Sequence, residues 1–165
     1  MALQKNIDYV VAPGVQISVG ADSDYSGQGC FVGTKSRMYL IPNTQDVDEG
    51  FWASVLSDTY KIESLQFGKK TPSQMVVEVL ARPESTLESI HEFFLNLAKT
   101  WKSTQIVEIS DLKNLKISTF CGGSVMFRKQ GDLIYTPFIM SIGKASKNDV
   151  KNFFKDIEAQ LAARK

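Results

Sequence analysis

Histidine is almost missing from this chain, His91 being the only one, and the two cysteines, Cys30 and Cys121, lie far apart. One imidazole and two distant thiols cannot supply a zinc site of the usual ligand spacing. The sequence also lacks a G-x-S-x-G nucleophile elbow and a Walker lysine motif, so the familiar signatures of serine hydrolases and P-loop enzymes are not there to argue from. Excess charge of one sign is missing too. Lys plus Arg number 19 against 18 Asp plus Glu, for a net charge of +1, whereas a protein built to coat nucleic acid is usually strongly basic. No apolar run approaches the roughly 20 residues that span a bilayer. The opening "MALQKNIDYVVAPG" shows no apolar core behind a basic segment, so no secretory signal is expected. Both cysteines fall in strand-like runs and read as buried reduced thiols, which makes the expected location cytoplasmic.

What is present is the composition of a globular chain. Hydrophobic residues make up 43% and charged residues 22% of 165 positions, enough for one domain, 1–165, with a sizeable core. After Pro13-Gly14, "VQISV" (15–19) alternates apolar and polar residues and predicts a half-buried strand. A polar loop, 21–29, precedes two further strands at about 29–34 and 37–42. From Asp46 the period lengthens, and "DVDEGFWASVL" predicts a short helix whose acids, Asp46, Asp48 and Glu49, suit a helix N-terminus. "KIESLQFGKK" (61–70) reads as either strand or irregular chain. Thr71, Pro72 and Gln74 form a helix start, and Ser85 with Glu88 a capping box for a second, strongly amphipathic helix. The strand period then returns at 105–109, 115–121, 124–129 and 133–142. Gln130-Gly131-Asp132 predicts a hairpin turn, and Pro137 an edge or a bulge. A last helix from Ser146 carries Val150, Phe153, Phe154, Ile157 and Leu161 on one stripe. The expected fold is α+β: an antiparallel sheet or partly open barrel of about seven strands, with a helical insertion at about 46–103 after the third strand and a C-terminal amphipathic capping helix.

Three segments resemble the pleckstrin-homology-like fold, including the GRAM and bacterial PH-like families. "GCFVGTKSRMYLIP" (29–42) is similar to its basic hairpin, reading Thr34-Lys35-Ser36-Arg37 at the tip. "QIVEISDLKNLKI" (105–117) is similar to a strand leading into a short turn, and "YTPFIMSIGKASKNDVKNFFKDI" (135–157) to the last strand and capping helix. The resemblance covers about half the chain, and the block 46–103 departs from it. It implies a barrel closed by one helix. It also implies a binding role, since some members hold phosphoinositide headgroups with basic residues near strand ends while others bind peptides or no lipid.

The candidate site residues are Lys35 and Arg37, an ammonium and a guanidinium on one loop that could hold an anion through charge-assisted bonds. A solvated hairpin tip is the plainer reading of the same knot. "GQGCFVG" (27–33) has the wrong glycine spacing for a dinucleotide fingerprint and precedes a strand rather than following one. His91 borders an apolar helix stripe and reads as structural. Phe51, Trp52, Phe93, Phe94 and Trp101 are core if the helical block packs on the sheet, and a docking patch if it stands off. The expectation is a non-enzymatic binding or adaptor domain that recognises a protein partner or an anionic lipid surface, with no catalytic residue, metal or cofactor assigned and no nucleic-acid partner. The alternative is a small-molecule binder or enzyme with a pocket between the helical block and the sheet, centred on His91.

Overall fold

The computed structural model describes residues 2–17, 27–42, 49–60, 70–101 and 103–164. Most of the expected loop 21–29, the acids Asp46 and Asp48, the Glu49 side chain and all but Lys70 of the segment 61–70 lie outside the described residues. Seven strands make one antiparallel sheet: β1 (Tyr9–Ile17), β2 (Gln28–Thr34), β3 (Arg37–Pro42), β4 (Gln105–Glu108), β5 (Leu112–Ser118), β6 (Ser124–Lys129) and β7 (Thr136–Ser141). Their order is β4-β3-β2-β1-β7-β6-β5. The two edge strands, β4 and β5, are consecutive in sequence and joined by the single 3-10 turn Ile109–Asp111. Three residues reach only about 10 Å. The sheet must therefore curl until its edges nearly meet, leaving a seam spanned by that turn. The α+β class, the helical insertion after β3 and the C-terminal helix all stand as expected.

Among the described residues, four α-helices accompany the sheet: α1 (Glu49–Val55), α2 (Pro72–Ala81), α3 (Leu87–Thr100) and α4 (Lys147–Ala163). The first three cover the outer face of β1–β3, and α4 lies inside the curl against β5 and β1. β2 and β3 are consequently buried on both faces. Phe31, Met38 and Leu40 point into the core shared with Phe153, Phe154 and Ile157 of α4. Cys30, Val32, Tyr39 and Ile41, the alternate residues, point into a second core with Trp52, Met75, Phe93 and Phe94. This explains why "CFVG" and "MYLI" are continuous apolar runs, whereas β5 and β6 alternate and keep one face in water. Trp52, Phe93 and Phe94 are fully buried, so the aromatic block is core.

Local chemistry accounts for the element ends. Thr71 caps α2, its hydroxyl accepting from Gln74 N at 3.3 Å while Gln74 Oε1 accepts from Thr71 N at 2.9 Å. The α3 box is one residue later than Ser85–Glu88. Thr86 Oγ1 accepts from Ser89 N at 3.0 Å, and Ser89 Oγ accepts from Thr86 N at 2.9 Å. Ser85 is withdrawn from capping because its buried hydroxyl is held by Tyr60 Oη at 2.8 Å and by the Val79 carbonyl. At the open edge of β5, α4 supplies a partner that a missing strand would have given: Lys151 Nζ donates to the Ile117 carbonyl at 2.8 Å. In the turn beyond β5, Lys147 Nζ donates to the carbonyls of Thr119 at 2.9 Å and Cys121 at 2.6 Å.

Three further expectations need correcting. β1 begins at Tyr9 and runs through Pro13-Gly14, which forms a register shift, not a preceding turn. Pro13 lies opposite Cys30 of β2 at this register shift and outside the described β1–β7 pairs at Gln16 and Ile17, a bulge position where a residue without an N–H is tolerated. The seventh strand starts at Thr136 rather than 133, although the turn before it forms as expected: Asp132 N donates to the Lys129 carbonyl at 3.1 Å, with Gly131 at φ +88°. Cys30 is buried, but Cys121 is exposed, because β5 ends at Ser118 and Cys121 sits in the following turn at φ +54°. Both thiols are free.

Candidate functional site

The basic knot is a tight turn organised by Thr34, whose Oγ1 accepts from Arg37 N at 3.0 Å and from Ser36 N at 3.4 Å. The two candidate cations leave this turn for different partners. Lys35 reaches to α4, where Nζ donates to the Phe153 carbonyl at 2.7 Å and lies 3.8 Å above the Phe153 ring. Arg37 turns the other way and pairs with Glu108 on β4, Nε to Oε1 at 2.7 Å. That bond holds the guanidinium even more firmly protonated than usual.

Arg37 leads to a polar group that sequence reasoning did not assemble. Tyr39 follows it on the same face of β3, stacks on Phe94 at 4.2 Å, and bonds through Oη to His91 Nδ1 at 3.1 Å. Burial pushes the Tyr39 phenol up to about 12, so the hydroxyl keeps its proton. Burial first and Arg37 second press His91 below its ordinary value, so the ring is neutral at pH 7. His91 is thus bound into the layer between β3 and α3.

Lys35 instead borders a cavity of about 280 Å³ at the seam, between the knot, the 3-10 turn and the end of α4. Its second cation is Arg164, the residue that closes α4. Ser36 and Ser110 bring hydroxyls, and Ile109, Ile157 and Leu161 form an apolar floor. Glu108 also lines the cavity, with its charge answered by Arg37. Such a site can take a small anionic group carried on an aliphatic stem. Ser110 and Arg164 carry no motif in the sequence, and only the curl of the sheet brings them beside Lys35.

A second, wider cavity of about 590 Å³ lies between β1 and α2, with Pro13, Ser73 and Val77 in its wall and the Lys70–Glu78 ion pair at its side. It is a space between the helical block and the sheet, and His91 does not line it. Among the described residues no cluster of three or more His, Cys, Asp or Glu could hold a metal ion, and no helix is long and apolar enough to cross a membrane. In comparisons with known proteins, the chain matches no family model, no curated protein and no solved structure.

Proposed function

We propose that the chain is a non-enzymatic, cytoplasmic binding domain of pleckstrin-homology-like architecture, and that it captures a protein partner by an acidic side chain at the seam cavity. The fold part of the reading is supported by the strand order, a meander whose ends come together at β1 and β7 and which opens between β4 and β5 beside a C-terminal helix. The observation that carries the function is the cavity itself: Lys35 and Arg164 both line the same 280 Å³ beside an apolar floor. Lys35 is the anion ligand on this reading, its Nζ turning from the Phe153 carbonyl to the guest. Arg37 acts one step removed, by neutralising the Glu108 carboxylate that would otherwise repel the guest. An anionic lipid headgroup is the second reading, favoured by the hydroxyls of Ser36 and Ser110, which suit phosphate oxygens as well as a carboxylate.

The test is a peptide display library that pairs Asp, Glu or phosphoserine with aliphatic residues, screened on the wild type and on a Lys35→Ala, Arg164→Ala pair. Enrichment on the wild type and its loss on the pair is the expected result, since a charge-assisted bond is worth about 1.5–3 kcal/mol, or at least tenfold in affinity. Arg37→Ala weakens the same peptides by a smaller factor. Equal enrichment on wild type and pair would refute the cavity as the site. Capture of soluble inositol phosphates with no peptide enriched would transfer the site to the lipid reading.

A further inference from the structure

The β6–β7 connection exposes two consecutive aliphatic side chains, Leu133 at 91% and Ile134 at 78% of their surface. Exposure that complete means that, among the described residues, no wall stands against either side chain. They form a convex tip and not a groove. Behind the tip comes Tyr135, at 39% exposure, with its ring 5.6 Å from the Arg128 guanidinium. Arg128 is fixed in turn by two bonds to Asn114 Oδ1, at 2.6 Å from Nη2 and 3.2 Å from Nε. Lys129 follows it in the strand, and Lys113 lies in the β5 irregularity opposite, where Leu112 pairs with Lys129 and Asn114 with Arg128. The anions here are Asp132 in the loop and Asp111 at its root, whose carbonyl receives Gln130 N at 3.1 Å. The cations exceed them by one.

We propose that this loop is a membrane-insertion tip for an anionic bilayer surface, independent of the seam cavity. From Leu133 and Ile134 inward, the loop runs aliphatic, aromatic at Tyr135 and cationic at Arg128, with Asp132 beside the tip. A bilayer leaflet runs in the same order from depth to surface: acyl chain, interfacial belt that favours tyrosine, then anionic headgroups. The charge is complementary to that surface, and a soft apolar phase can accept two neighbouring aliphatic side chains from a convex tip. The insertion is shallow and reversible, because two aliphatic residues and three cations bind far more weakly than a spanning helix.

The experiment floats the full chain with phosphatidylcholine vesicles and with mixed phosphatidylcholine–phosphatidylserine vesicles, at low and high salt. The wild type is expected to float with the serine-containing vesicles only, and less so at high salt. A Leu133→Ser, Ile134→Ser pair should lose at least about 100-fold in affinity, roughly tenfold or more for each buried side chain. Both positions are exposed, so its thermal midpoint should match the wild type. A Leu133→Trp variant gives a depth readout that does not rest on lost binding: its emission should shift to the blue on vesicles and be quenched by brominated acyl chains, above the background of Trp52 and Trp101. The Lys35→Ala, Arg164→Ala pair should float unchanged, which separates this tip from the peptide site. A wild type that stays in the supernatant overturns the proposal. So does vesicle binding that survives the serine pair, an unquenched Leu133→Trp variant, or a protein partner that needs Leu133 and Ile134 where vesicles do not bind.

Discussion

Gly33→Ala tests how tightly α4 is seated. Gly33 lies in β2 opposite Met38, and its position carries no unusual backbone angle, so alanine fits the strand conformation. Space is the difficulty. An added methyl would overlap Cζ of Phe154, sit 2.6 Å from its Cε2 and 3.1 Å from Val10 Cγ1. Ordinary carbon contact begins near 3.5 Å, so the ring must retreat by about 1 Å. Phe154 is fully buried, with Phe153 at 5.0 Å and Phe31 at 6.2 Å between ring centres, and has nowhere open to go. Overpacking of this kind costs about 1–3 kcal/mol, offset by about 0.4–1 kcal/mol from the stiffer unfolded chain. The net expectation is a loss of about 1–2 kcal/mol, which for a chain of this size lowers Tm by roughly 2–8 °C. Urea denaturation of Gly33→Ala, Phe154→Leu and the double variant closes a cycle, and the coupling should be favourable by at least about 1 kcal/mol because the smaller side chain vacates the methyl's place. A neutral Gly33→Ala would refute the reasoning, as would a cost that persists undiminished in the Phe154→Leu background.

Two further outcomes follow from the same packing. Burial and Arg37 hold the His91 pKa in the folded chain below 6.5, so as pH drops the unfolded chain takes up the proton first. Its contribution to stability is complete above about pH 6.5 and is lost as pH falls through the folded value; a denaturation series from pH 7.5 to pH 5 should show that slope in the wild type and a shallower one in His91→Gln. Maleimide should label the native chain once, at exposed Cys121, and not at all in Cys121→Ser, because Cys30 is fully buried and its thiol is pushed up to about 12; two rapid labels would contradict that burial.

The limits of β2 and β3 were legible at 29–34 and 37–42 because both strands are walled in on two sides, which leaves continuous apolar runs with a polar turn between them. The stripe of α4 was equally plain, since its five large apolar residues all face one core. Elsewhere, local signals pointed to a different structure. Pro13-Gly14 has the chemistry of a turn, but here it bends a strand that continues. Ser85 has the chemistry of a cap, but Tyr60, 25 positions earlier, takes its hydroxyl. "LIYTP" has the composition of a strand, yet Leu133 and Ile134 stand outside the sheet. The candidate site was legible only in part. Lys35 and Arg37 are neighbours in the turn, but their partners, Phe153 and Glu108, are 118 and 71 positions away. No local pattern records that the two cations separate, or that Arg164 and Ser110 come to stand beside the first of them.

The double burial of β2 and β3 has a last consequence for alternative states of the chain. A strand wet on one face is locked in place from one side only, and a slip of one residue there exchanges core for solvent. In β2 a slip would exchange one core for the other, handing Phe31 to the helices and Cys30 and Val32 to α4. Both faces are apolar, so hydrophobicity alone would hardly object. What forbids the error is shape: Gly33 must face the Phe154 ring, and Gly29 must lie against the Ile41 carbonyl and the Ile17 side chain. The two glycines thus act as keys that fit one alignment, and the discrimination between native and shifted sheets rests on side chains that are absent.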